Sequence, residues 1–281
     1  MWKKLVLLLP LCLAACGGGN NTPAPQPAPG NQPAVNAPAV APSAADKRRA
    51  RELYDQATAK IHAYDNTGAA ELAEQAVKLD PGNGEYHEQL GYAYEKLGRH
   101  DDARDAYLRA AELLSGQSRA RCRSHVAYNC HLLAQAAFKA GDNPQAIRHL
   151  RTALEHNPAA VDSWLLLGDA HMNLQEFAAA AEAFGGAAGI ALGEQRYLAM
   201  SRRGQALVYA GDNETAHAVL SALIDEGAFG YEAYGWRGYA NLALERKDEA
   251  ERDFLQALQR TTDREKRAEY EAALKAIAES R

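Results

Sequence analysis

From Ala50 onward, small and large apolar residues return in the same order about every 34 residues, with polar residues between them. The clearest unit runs Leu90-Gly91-x-x-Tyr94-x-x-x-Gly98 and continues through Ala103, Tyr107 and Ala110. With Gly84 as position 1, the small residues Gly91, Ala103 and Ala110 fall at positions 8, 20 and 27. One period earlier, Ala57, Ala69 and Ala76 take those places, and Pro81 falls at position 32. After an interruption at 118–126 the register resumes at Ala127, with Ala134, Gly141, Ala146, Ala153 and Pro158. Units beginning at Val161, Tyr197 and Tyr231 follow, carrying Gly168, Ala180 and Ala187, then Gly204 and Ala216, then Gly238, Ala250 and Ala257.

This pattern predicts two packed helices per unit. Small residues at positions 8, 20 and 27 let helices approach closely, while larger ones interdigitate as ridges in grooves. Gly at position 15 supplies the positive φ of a turn, and Pro at position 32 cannot continue the second helix. No unit buries its apolar face alone, so the units must stack. The expected repeats lie near 50–83, 84–117, 127–160, 161–194, 197–230 and 231–264, in a helical body spanning 46–281. Ala268, Ala272, Ala273, Leu274 and Ile277 predict a polar-faced capping helix over 263–280. Gln175 and Glu245 stand where Gly is expected, and Gly185-Gly186 is expected to weaken or bend its helix.

On these residues the chain resembles the tetratricopeptide-repeat (TPR) family. The resemblance implies an all-α, right-handed TPR solenoid of about six helix-turn-helix repeats closed by a capping helix. It also implies a concave groove lined by the first helix of each repeat, at positions 2, 5, 9, 12 and 13. Here those positions bring Tyr128, His131, Gln135 and Phe138 from repeat three, and Leu165, Asp169 and Met172 from repeat four. Repeat five adds Leu198, Ser201, Gln205 and Tyr209, and repeat six Tyr239 and Leu242, with Arg202 and Trp236 bordering them. Aromatic, Met and amide groups along one groove suit a peptide, since aromatic anchors dominate interfaces and Met adapts to varied partners. A chaperone-binding subfamily carries Lys and Asn at positions 5 and 9 of its first repeat. Tyr54 and Thr58 stand there instead, so that binding mode is not expected.

The first residues change the picture of where this body works. Lys3 and Lys4 precede a short apolar run, Leu5 to Leu13, too short to span a bilayer core. Residues 1–15 therefore read as an export signal. Leu13-Ala14-Ala15-Cys16 resembles the bacterial lipobox, which implies that Cys16 is lipidated and anchors the chain firmly. Gly17 rather than Asp after it favours, by analogy, the periplasmic face of an outer membrane. From 16 to 45 the chain is rich in Pro, Ala, Asn and Gly, and so is expected to be a disordered tether. Known lipoproteins of this architecture include secretin pilotins and adaptors of peptidoglycan hydrolases.

Charge and chemistry narrow the function further. The net charge of −5 becomes −7 once Lys3 and Lys4 are removed, so no basic excess is present to seat nucleic acid. Arg119, Arg121 and Arg123 form a small cluster in the interruption, expected to be solvated. Cys122 and Cys130 are the thiols left for a disulfide, but eight residues of unbroken helix would separate them by about 12 Å, beyond the ~7 Å limit. A bridge therefore needs a turn between them. Cys122-x-x-His125 with Cys130-His131 matches no common zinc framework, and no metal is expected. No catalytic motif or cofactor fingerprint is present, so no catalytic residue is expected. The expected function is a membrane-anchored scaffold binding exported proteins or peptides; a repeat-bearing envelope enzyme and a passive spacer are the alternatives.

Overall fold

The computed structural model describes residues 41–227 and 230–280, among which are thirteen α-helices and no strand. Cys16 and most of the expected tether lie outside the described residues. The helices form six hairpins: α1 (Ala44–His62) with α2 (Asn66–Leu79), α3 (Gly84–Lys96) with α4 (His100–Leu113), and α5 (Gly116–Lys139) with α6 (Asn143–His156). These continue as α7 (Val161–Asn173) with α8 (Phe177–Ile190), α9 (Gly193–Ala210) with α10 (Asn213–Asp225), and α11 (Tyr231–Ala243) with α12 (Lys247–Arg260). A single helix, α13 (Arg264–Glu279), packs on α12 and closes the stack. Each helix touches its neighbours in sequence, which is the contact pattern of a solenoid.

The repeat register explains the packing. A large side chain at position 24 sits over the small residue at position 8 of the same hairpin: Tyr107 over Gly91, Phe184 over Gly168, Leu220 over Gly204 and Phe254 over Gly238. A Cβ added at Gly238 would lie 2.8 Å from the Phe254 ring, so only hydrogen fits there. The small residues Ala57, Ala69, Ala103, Ala110, Ala146, Ala153, Ala180, Ala187, Ala250 and Ala257 are fully buried.

All six turns within the hairpins take a left-handed residue at position 15. Gly98, Gly141 and Gly211 have φ of 71°, 80° and 82°, while Tyr64, Gln175 and Glu245 adopt 59°, 59° and 62°. A side chain in that region costs about 1–2 kcal/mol, partly offset by the greater chain freedom that Gly loses on folding. Gln175→Gly and Glu245→Gly are therefore each expected to stabilise the fold by about 0.5–1 kcal/mol. A rise in melting temperature for each checks this, and a fall would contradict it.

Several expectations need correction. Helix α1 starts at Ala44, where Ser43 and Asp46 form a reciprocal cap, so the segment expected to run loosely to 45 ends earlier. The insertion at 118–126 is not a loop: it lies within α5, one unbroken helix of 24 residues. Cys122 and Cys130 therefore lie two helical turns apart as free, buried thiols, and no disulfide joins them. Cys122, Val126, Cys130 and Ala134 repeat at intervals of four and form one buried stripe. The arginines are not merely solvated. Arg119 donates to the Ala111 and Leu114 carbonyls and Arg123 to that of Glu155, capping the ends of α4 and α6, while Arg121 pairs with Glu88. Gly185-Gly186 does not interrupt α8; Gly186 instead gives the Trp164 ring room to approach.

Candidate functional site

The first helix of each hairpin forms one continuous side of the solenoid. Four of the five successive pairs of first helices make substantial contact (α1 with α3, α5 with α7, α7 with α9, α9 with α11), whereas no successive pair of second helices does. The first-helix side is therefore the inner, concave face. Three of its helices are longer than the rest: α1, α5 and α9 have 19, 24 and 18 residues against 13 for α3, α7 and α11.

Between the extended ends of α5 and α9, over the start of α7, lies an open pocket of about 250 Å³. Tyr128 and His131 line it together with Asp162, Ser163 and Gln195. Tyr128 is 52% exposed. The Gln135 amide nitrogen lies 2.9 Å from His131 Nε2, which makes Nε2 the acceptor and leaves Nδ1–H to donate to Ser163 Oγ at 3.0 Å. Burial lowers the pKa of His131, with Asp162 acting weakly the other way, so the imidazole is neutral at neutral pH.

Further along, Asp169 of α7 forms an ion pair with Arg202 of α9. Burial raises the Asp169 pKa, against the pull of Arg202. Leu165 and Met172 are half-buried and pack toward the aromatic cluster of the C-terminal half. There the rings form a chain: Phe177 stacks on Tyr209 at 5.1 Å, Tyr209 meets Trp236 at 5.5 Å, and Trp236 meets Tyr239 at 5.6 Å. Tyr209 and Trp236 remain partly exposed, which leaves apolar ring surface on the inner face.

Not every expected groove residue is open to a ligand. Tyr239 is only 9% exposed, and its hydroxyl donates to Glu269 of α13 at 2.7 Å. It ties repeat six to the cap. Phe138 is half-buried against the repeat three and four core, and Ser201 and Leu242 are buried. Conversely, Phe177 and Gln195 join the inner surface without a sequence signal: one opens a second helix, and the other sits in the upstream extension of α9.

Near the N-terminal end the aromatic pair Tyr54 and Tyr86, 5.3 Å apart, is joined by a polar cluster. Glu95 accepts from Asn129 Nδ2 at 2.8 Å and pairs with His125 Nδ1 at 3.0 Å, and His125 stacks on Tyr107. Burial pushes Glu95 up, but its bonds to His125 and Asn129 outweigh that and hold its pKa below the ordinary carboxylate value. A carboxylate with a depressed folded pKa contributes stability that is present above its unfolded pKa and lost as pH falls through the folded one. The melting-temperature gap between wild type and Glu95→Gln is thus expected to close as pH falls from about 5 to about 3. A gap that stays constant would contradict this role. His125 turns to Glu95 and His131 to Ser163, so the two Cys-His pairs do not converge on a metal site.

Residues 54–118, 131–193 and 201–266, more than half of the chain, match the tetratricopeptide-repeat family. No curated protein matches the chain. Among solved structures, Naa15/Naa10 bound to HypK-THB is 17% identical with a TM-score of 0.53, over 82% of this chain and 34% of that one. YrrB, described as a TPR protein with an unusual peptide-binding site, is 16% identical over 72% of this chain and 99% of its own, with a TM-score of 0.49. The P58(IPK) TPR domain is 14% identical with a TM-score of 0.38 over 83% of this chain, which spans 66% of that domain. At 17% identity the likeness to Naa15/Naa10 is one of fold alone. The matched repeats, the thirteen helices and the register of small residues agree: the chain belongs to the tetratricopeptide-repeat family.

Proposed function

We propose that this chain is a lipid-anchored scaffold of the cell envelope that holds an extended segment of an exported protein along its inner face. The observation that carries the binding role is the partly exposed chain of Phe177, Tyr209 and Trp236, with Met172 and Leu165 beside it. Rigid aromatic rings supply large contact area with little entropy to lose, and such rings dominate interface energetics. The rim pocket at Tyr128 and His131 adds hydrogen-bonding groups that can fix the segment's register.

The envelope setting rests on sequence: the basic start, the short apolar run and the Leu13-Ala14-Ala15-Cys16 motif. Lipidation of Cys16 would place the solenoid on the periplasmic face of the outer membrane, at the end of the Pro-rich segment. Cys16→Ser is then expected to move the protein from the membrane fraction to the soluble fraction; unchanged membrane association would remove the anchor. Crosslinked complexes recovered from envelopes with wild type, and lost with a Phe177→Ala, Tyr209→Ala, Trp236→Ala variant of equal helicity, would support the binding role. Recovery of the same proteins with both would refute it.

A further inference from the structure

On the outer face, repeat six places three polar residues that touch one another at positions 7, 11 and 23. Position 7 is Leu90, Leu133 and Leu167 in repeats two to four, Arg203 in repeat five and Arg237 here. Position 11 is Tyr94, Ala137, His171 and Leu207 in repeats two to five, and Asn241 here. Position 23 is Ala106, His149, Ala183 and Val219 in repeats two to five, and Asp253 here; only repeat six is polar at all three among these. Arg237 grips Asp253 through Nε at 2.9 Å and Nη2 at 2.6 Å, and its Nη1 donates to Ser221 at 3.1 Å. Asn241 Nδ2 donates to Asp253 at 3.0 Å. Asn241 is 1% exposed and its Oδ1 has no partner. The amide cannot turn over to satisfy that oxygen, because Oδ1 would then face the Asp253 carboxylate.

Packing alone does not call for this arrangement, since a buried ion pair replaced by apolar residues of similar volume is often neutral or stabilising. The three residues instead line a pocket of about 520 Å³ between α10 and α12, floored by α11. That volume is within the usual range for ligand pockets. Two arginines (Arg237, Arg252) and two carboxylates (Asp253, Glu249) balance at the pocket, so it favours neither cations nor anions. Arg237 retains N–H donors beyond the three it uses, while Asn241 offers an unused acceptor. A group that both accepts and donates satisfies the two together.

We propose that this outer pocket is a second binding site, distinct from the inner groove, that takes a neutral amide group of a partner. Its carbonyl oxygen accepts from Arg237 and its N–H donates to Asn241. A side-chain carboxamide and a backbone amide share this chemistry. The test is titration of the isotope-labelled full chain with acetamide, N-methylacetamide, acetate and methylammonium, following the backbone amide signals of His217, Ser221, Arg237 and Asn241. The expected result is a saturable shift with one or both amides, half-complete on the order of 10–100 mM for so small a probe, and none with the two ions. A larger response to acetamide assigns a side-chain carboxamide, and a larger one to N-methylacetamide a backbone amide. An Arg237→Leu, Asn241→Tyr, Asp253→Ala variant, which gives repeat six the residues of repeat two at these positions, should keep or raise the melting temperature. It should also lose the response of His217 and Ser221 at least tenfold. No saturable shift with either amide, equal shifts with the ions, or an undiminished response in the folded variant would overturn the proposal.

Discussion

Phe254→Ala is expected to destabilise the C-terminal end of the solenoid by about 3–5 kcal/mol, the usual cost of removing a fully buried aromatic ring. The ring is 0% exposed, sits against Gly238, meets Tyr239 edge-on at 5.0 Å and stacks on Tyr270 at 5.7 Å. Its removal leaves a cavity that Gly238 cannot fill and loses one aromatic contact within repeat six, to Tyr239, and one to the cap, to Tyr270. Because each repeat is stabilised mainly by its neighbours, the damage should be local. Hydrogen exchange should accelerate across α11, α12 and α13 while α3 and α4 keep their protection. Uniform acceleration along the chain would show instead that the solenoid unfolds as a single unit.

The second large effect concerns binding. Tyr209→Ala and Trp236→Ala should each weaken a groove-bound segment by about 30-fold or more, equivalent to about 2 kcal/mol per aromatic anchor. Both rings are partly exposed, so their loss should harm folding less than loss of the fully buried Phe254. Helicity by circular dichroism separates the two effects. Arg148, exposed on α6 at the outer face, is the control whose replacement by Ala should leave affinity unchanged.

The hairpin register was legible because close helix approach demands small residues at fixed places: Gly91, Gly168, Gly204 and Gly238 each sit under a large side chain. The turns were legible where Gly marks them, and Gln175 and Glu245 show that the backbone keeps its left-handed turn without Gly. The length of α5 was less visible. Its Cys122, Val126, Cys130 stripe carries the helical period, but three arginines nearby resemble a solvated loop until the carbonyls they cap are seen. The inner groove was legible as a set and only partly by residue. Position 9 of a repeat ordinarily faces the groove, yet Tyr239 leans onto α13, where Glu269 accepts its hydroxyl and Tyr270 packs beside it. Phe177 belongs to a second helix and reaches the groove only because Tyr209 stacks on it. The outer polar triad was not legible, because each of its positions is also polar in another repeat (Arg203, His171, His149), and only the fold brings Arg237, Asn241 and Asp253 together.

Site-specific photocrosslinking in intact envelopes tests the inner groove most directly. A photoreactive aromatic residue replaces Tyr209 in one variant and Arg148 in another. A discrete crosslinked partner from position 209, with none from position 148, is the predicted result. No adduct at 209, or the same adducts from both positions, would contradict a binding role for the inner face.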